Sequence, residues 1–416
     1  MSGSTTIIGR PNGDPEMHGS RSRHPTARPV NRRQRKRTQK RRKEAAKPAR
    51  TPSTEPPIQY YIIAAVMVVL TLLGLVMVLS SSSVTAINRG QSGWVYFKKQ
   101  MLWAVLGLAA LAVTVRVPYT HWRKFVRLGL IAAFAGMASV FIPGLGRDVN
   151  GARAWLNLGP FGFQPSEAMK LALLVYTADL LARRADKIRD PRVTLRPVLF
   201  VLGAACVLVM AQHDLGSGIV MAVIVLAVAF FAGVPIRPLA GATTGMTAVA
   251  LFFVMSAGYR RRRWGSFLNL AAHKKDSGYQ VWQSLVAVAS GGLTGAGLGA
   301  GKGKWGFLPE AHTDFIFAII GEEMGLFGVA VVCGLFLVLG YVGVQVALHA
   351  KDRFAMLLAG GVTAWLLVQA VINMMGVVGM MPLTGLTLPF VSFGGSSLLI
   401  TMSAAGLLLN VARNSG

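Results

Sequence analysis

The chain has 416 residues, 53% of them hydrophobic and 14% charged, with a formal net charge of +27 and two cysteines. Several uninterrupted apolar stretches approach 20 residues, the length that crosses a bilayer core. That pattern excludes a soluble globular enzyme and predicts an all-α integral membrane protein. Cys206 and Cys333 both lie in apolar runs, so no disulfide framework is implied.

Residues 1–57 carry 15 Lys/Arg against four acids, including the run RRQRKRTQKRRK. That run, with Pro and Thr on both sides, lacks apolar residues for a core, so the segment reads as a disordered basic cytoplasmic tail. Beside a transmembrane helix such a tail is held by anionic inner-leaflet lipids and fixes orientation, a reading preferred to nucleic-acid binding. It lacks the early apolar region of a signal peptide.

A polytopic membrane domain follows over 58–412. Its apolar runs predict ten transmembrane helices at roughly 58–80, 100–115, 125–142, 166–182, 197–212, 215–233, 238–258, 314–347, 355–379 and 389–411. The stretch 314–347 is too long for one straight span, so it tilts or breaks near Gly321/Gly325. With both termini inside, cytoplasmic loops carry Arg116, Arg123, Lys124, Arg127 and six basic residues from Arg183 to Arg196. A large extracellular loop then occupies 259–313, before the eighth helix.

Three familiar chemistries find no support. GKGKWG, Gly301 to Gly306, matches G-x-G-x-x-G in form but has no strand before it. There is no G-x-x-x-x-G-K-[ST], no H-E-x-x-H and no Cys/His cluster. Nucleotide is therefore not expected, and the chemistry must use carboxylates and cations.

Four constellations qualify. In GLGRDVNGARAWLNLGP, Arg147 and Arg153 accompany Trp155, and arginine suits bidentate grip of a diphosphate. In FGFQPSEAMKLALL, Glu167 and Lys170 share one helical face at i and i+3, as a functional pair or as a mutually neutralising one. In AQHDLGSG, Asp214 occupies a short turn, as a site residue or as a cap for the next helix. In LPEAHTDFIFAIIGEE, Asp314 beside His312 can take a proton from a sugar hydroxyl, or Thr313 or Asp314 can cap a helix. Glu322 and Glu323, about 12–13 Å further along that helix, read as structural hydrogen-bonding partners.

LPEAHTDFIFAIIGEEMG, GLTLPFVSFGGSS, QPSEAMK and SGYQVWQSLVAVASGGLTGAGLG, in this chain, resemble the SEDS family of shape, elongation, division and sporulation proteins. Thr387 and the IIGEE ending suit the division branch better than the elongation branch. The resemblance implies a ten-helix peptidoglycan glycosyltransferase of the bacterial plasma membrane at the division septum. It would polymerise lipid II outside the cell by inverting transfer, releasing undecaprenyl diphosphate. It implies Asp314 as catalytic aspartate and places Glu167, Lys170 and Asp214 in a polar cavity. Arg153, Lys170 and a divalent cation, magnesium or manganese, are the candidates to neutralise the diphosphate, although no ligand set for a metal is readable. A class B penicillin-binding transpeptidase and other division membrane proteins are the implied partners.

Three departures stand out: His213 replaces the family's usual proline before Asp214, Arg153 stands two before Trp155 where an adjacent R-W pair is commoner, and Leu270-Ala271-Ala272 replaces the family's D-P-W. The rival readings are a lipid II flippase and a non-catalytic division scaffold. A flippase predicts inverted repeats, and no internal repeat is visible.

Overall fold

A computed structural model describes residues 56–415, apart from 150, 160 and 257. The basic tail expected over 1–57 lies outside the described residues except for its last two. The principal helices are α1 (Ile58–Asn88), α2 (Val95–Arg116), α3 (Tyr119–Trp122), α4 (Val126–Ser139), α5 (Pro165–Arg183), α6 (Leu195–Ala211), α7 (Leu215–Phe231) and α8 (Ile236–Ser256). They continue as α9 (Gly258–Leu268), α10 (Tyr279–Gly291), α11 (Ile316–Leu348), α12 (Arg353–Val377) and α13 (Gly395–Asn414). A helix stands at every position where the apolar runs predict a span. Among the described residues, six are long and apolar enough to cross a membrane (α1, α2, α8, α11, α12 and α13), and α6 and α7 are apolar but shorter.

Two features depart from expectation. The 259–313 segment, read as a loop, contains α9 and α10. The chain between α4 and α5 forms an antiparallel sheet of β1 (Gly146–Val149), β2 (Ala152–Leu158) and β3 (Phe161–Phe163), in the order β1-β2-β3. β1 and β3, of four and three residues, are too short to leave a periodic signal.

The core follows from which helices are wrapped by others. α12 and α13 are buried along most of their length, whereas α8 is largely exposed at the rim. α2 lies so close to α13 that a Cβ added at Gly406 would run into the Thr114 side chain. At one end of the bundle the turns are short, and Asn410 Nδ2 ties them by donating to the carbonyls of Thr114, Val115 and Val117 at 3.0, 2.8 and 2.7 Å. The other end carries every candidate residue.

α11 breaks at Gly325, where φ 64° and ψ −159° leave the helical region. Only glycine adopts that conformation readily. The residues after the break, Leu326 to Leu348, are about 34 Å long by helical rise, enough to cross a bilayer alone. Glu322 and Glu323 therefore sit at the end of the span, not in its middle. Glu323 binds Ser80, and Ser80 lies about 33 Å along α1 from Ile58, at the same level.

Candidate active site

The site is organised by the 379–394 segment, which joins α12 to α13 and touches four other elements. Gln100 on α2 donates Nε2 to the Ser392 carbonyl at 3.1 Å. On α12, Gln369 Nε2 donates to the Thr387 carbonyl at 3.0 Å and Asn373 Nδ2 to the Leu386 carbonyl at 2.7 Å. A Cβ at Gly216, in the first turn of α7, would meet the Thr384 carbonyl at 2.6 Å. Phe390 holds φ 65° within the segment, strain that the surrounding contacts must sustain.

Against this segment lies the Asp314 motif, with three consecutive carbonyls fixed. The His312 carbonyl accepts from Phe393 N at 2.9 Å, that of Thr313 from Ser392 Oγ at 2.7 Å, and that of Asp314 from Asn373 Nδ2 at 2.9 Å. The Asp314 carboxylate is half-buried, and its Oδ2 faces Gly385, where an added Cβ would stand 3.6 Å away. Helix α11 begins only at Ile316, with Phe315 at its N-cap. Thr313 Oγ1 turns back to Glu310, so the hydroxyl does not serve as the cap.

His312 is buried, its ring centroid 4.7 Å from that of Tyr96 and 5.5 Å from that of Phe393. Burial holds its imidazole below the usual pKa, the Arg89 charge pushes the same way, and Glu310 opposes them. Arg89 itself donates to Tyr96 Oη at 2.7 Å.

The Glu167–Lys170 pair forms as its spacing predicts, at 2.8 Å. Lys170 is wholly buried, donates also to Gln369 Oε1 at 3.0 Å and sits over the Trp365 ring. Its ammonium is thereby directed inward, at α12. Glu167 Oε2 has no partner. Asp214 caps α7 by accepting from Ser217 N at 3.0 Å, and its other oxygen accepts from Gln164 Nε2 and Ser166 Oγ at 2.9 and 3.2 Å. It thus ties α7 to the start of α5. The preceding His213 holds φ 63°, which a proline ring could not adopt, so this turn is built as proline could not build it.

Arg153 is not brought to these carboxylates. It lies on β2 on the same face as Trp155, with Nε beside Gly146, and has no acidic partner among the described residues. Arg147 pairs with Trp155 across the sheet and is exposed.

Glu322 and Glu323 are saturated with donors. Glu322 accepts from Lys302 N at 2.7 Å and from Gly303 N at 3.1 and 3.2 Å. Glu323 accepts from Ser80 Oγ at 2.7 and 2.8 Å, Gly299 N at 3.0 Å and Lys304 Nζ at 2.9 Å. The G-x-G-x-x-G run is therefore an anion-binding loop whose anion is the protein's own Glu322.

Reading the sequence missed Lys304, Ser80, Gln369 and Asn373. For the last two a signal exists: two amides at i and i+4 on one face of an otherwise apolar helix, where polar groups demand partners. No three of His, Cys, Asp and Glu gather among the described residues, so the implied divalent cation finds no protein-built ligand set here.

Comparison with known proteins settles the family. The family described as cell cycle protein, which groups FtsW, RodA and SpoVE, matches residues 60–416. The chain belongs to that family. It is 41% identical over 353 residues to the probable peptidoglycan glycosyltransferase FtsW of Geobacter sulfurreducens, covering 84% of this chain and 94% of the relative. It is 39% identical over 355 residues to stage V sporulation protein E of Bacillus subtilis, covering 84% and 96%. Among solved structures, a chain from a peptidoglycan synthase complex that coordinates polymerization and crosslinking superposes with a TM-score of 0.69 at 28% identity, covering 86% of this chain and 97% of that one. RodA of Thermus thermophilus gives 0.62 at 29% identity, covering 85% and 96%. The helices, the family and these relatives together make this a multi-pass membrane protein of the peptidoglycan glycosyltransferase class.

Proposed function

We propose that the chain polymerises lipid II, with Asp314 as general base. The carboxylate takes the proton of the 4-hydroxyl of N-acetylglucosamine on an acceptor lipid II. That oxygen attacks the anomeric carbon of the donor glycan, the bond to undecaprenyl diphosphate breaks, and configuration inverts. One base suffices, because a carboxylate nucleophile is needed only for retention, by analogy with glycosidases. The observation that carries this reading is the threefold fixation of the main chain at residues 312–314, which holds Asp314 Oδ2 against the Gly385 backbone. A base held in one place need not be reorganised at the moment of reaction.

Arg153, with no acidic partner among the described residues, is suited to the leaving diphosphate. Lys170 has the different task of bracing Gln369 and, through it, the Thr387 backbone. Neutral His312 contributes shape and hydrogen-bonding capacity. No step is routed through a metal, for which no group of three or more His, Cys, Asp and Glu gathers among the described residues. A crosslinking transpeptidase of the class B penicillin-binding type is the partner that fits, since one similar structure comes from a complex that polymerises and crosslinks. We place the protein at the division septum, with both termini cytoplasmic and the Asp314 end outside, because the opposite end carries the basic turns.

The test is polymerisation of labelled lipid II by purified protein, with the transpeptidase added. Asp314→Asn keeps size and hydrogen-bonding capacity but removes the basic carboxylate. The rate should fall about 10²–10⁴-fold at unchanged melting temperature. Near wild-type polymer from Asp314→Asn would show that the base lies elsewhere.

A further inference from the structure

Among the described residues, three buried side-chain oxygens at this end of the bundle have no donor: Gln212 Oε1, beside the Asp214 turn, and two on the facing helices α5 and α12, Glu167 Oε2 and Asn373 Oδ1. Asn373 is 4% exposed, and its Nδ2 donates to both the Asp314 and the Leu386 carbonyls. The amide cannot be flipped, because its oxygen would then face two carbonyl oxygens. The orientation of Oδ1 is therefore fixed, and it has no hydrogen-bond partner. Glu167 is also 4% exposed; its Oε1 takes Lys170, while its Oε2 has no hydrogen-bond partner.

The Glu167 and Asn373 atoms lie at one level. Lys170 on α5 contacts Gln369 on α12, and those helices run in opposite directions. Glu167 is three residues nearer the site end than Lys170, a rise of about 4.5 Å, and Asn373 is four residues nearer than Gln369, about 6 Å. Asn373 and Gln369 hold the Leu386 and Thr387 carbonyls of the 379–394 segment, and Glu167 is tied to Gln369 through Lys170. A buried acceptor left without a donor is costly, so such atoms in a native protein await one.

We infer that Asn373 Oδ1 and Glu167 Oε2 form a subsite that reads hydrogen-bond donors, and that it receives the hydroxyl and amide N–H groups of the substrate's sugars. The chemistry sorts the two halves of the substrate. A diphosphate offers acceptors and negative charge, which two oxygen acceptors repel. A glycan offers donors. This inference rests on lipid II being the substrate, and it adds Asn373 to the site with two roles: its nitrogen positions Asp314 and its oxygen holds the sugar.

The experiment is equilibrium binding of labelled lipid II to the full chain in detergent, in an Asp314→Asn background so that nothing turns over. Asn373→Leu removes the acceptor, and Glu167→Gln can place an amide N–H where Oε2 stands. Each should weaken lipid II binding roughly tenfold, as for one lost buried hydrogen bond. Undecaprenyl diphosphate, which lacks the sugars, should bind both variants as it binds the parent. Unchanged lipid II binding by folded variants would mean that the two oxygens hold only water, which overturns the inference. Equal losses for undecaprenyl diphosphate would overturn it too, since the subsite would not then distinguish sugar. Should Asn373→Leu fail to fold, Glu167→Gln carries the comparison alone. If the unsubstituted protein neither binds nor polymerises lipid II, the proposed function itself fails and this inference with it.

Discussion

Among the described residues the protein buries two lysine–glutamate pairs, and they are finished differently. Lys304–Glu323, at 2.9 Å, joins a glycine-rich loop to α11 across 19 residues, and each carboxylate oxygen also accepts from Ser80 or Gly299. Lys170–Glu167, at 2.8 Å, lies within one helix and leaves Glu167 Oε2 without a partner. Removing charges from water costs several kcal/mol per ion unless further hydrogen bonds complete the shell. The first pair meets that condition inside the protein. The second leaves Glu167 Oε2 without a donor from the protein, the acceptor that the proposed sugar subsite uses. Completeness, more than charge or burial, separates the two pairs, and under the proposed function the incomplete one serves the site.

The largest expected effect comes from breaking the complete pair. Lys304→Met leaves a buried carboxylate without its counter-ion, and stability should fall by about 3 kcal/mol. Because the partners are coupled, adding Glu323→Gln should recover part of that loss. Thermal melting read alongside polymer formed per folded molecule separates the roles, with melting lowered and specific activity largely kept. A dead but normally melting Lys304→Met would mean that this pair, too, belongs to the chemistry.

A smaller loss is expected where the complete pair meets the helix break. The loop that carries its donors packs against Gly325, with Leu326 N donating to the Gly292 carbonyl and Ala296 N to that of Glu322, both at 2.9 Å. A Cβ at Gly325 would strike Gly295 N and the Leu293 carbonyl in a conformation that side chains rarely adopt. Gly325→Ala should cost about 1–3 kcal/mol. A variant that melts like the parent would show that the break is not sustained by this loop.

How far the sequence foretold these pairs depended on separation along the chain. Glu167 and Lys170 are three residues apart on a helix, so periodicity alone brought them together. The break of α11 was foreseeable because 34 residues overrun a bilayer and glycines mark where the helix can yield. Lys304 was not, because its partner lies 19 residues away through a loop without period. The segment around Phe390 was equally opaque, since its shape comes from contacts with four elements. Asn373 and Gln369 were visible as polar residues in an apolar helix, but neutral amides draw less notice than charges there. The aspartate at 214 showed the opposite limit: its capping role and its ties to Gln164 and Ser166 both occur, and spacing gave no means of choosing between them.

The smallest effect should come from His312, which stands in neither pair but packs on Phe393 beside the Asp314 main chain. It lies before the first residue of α11, outside the spanning helices. Its folded pKa is below the ordinary value, chiefly through burial. Between that lowered value and about 6.5 the unfolded chain binds the proton and the folded chain does not. Stability contributed here is therefore complete above about pH 6.5, falls as pH drops through that range, and stops falling below the folded pKa. Melting measured from pH 7.5 to 5.5 should show a decline that is shallower in His312→Gln, whatever the variant's absolute stability. Parallel profiles would mean that the imidazole titrates alike in both states, and that its burial between Tyr96 and Phe393 does not keep it neutral.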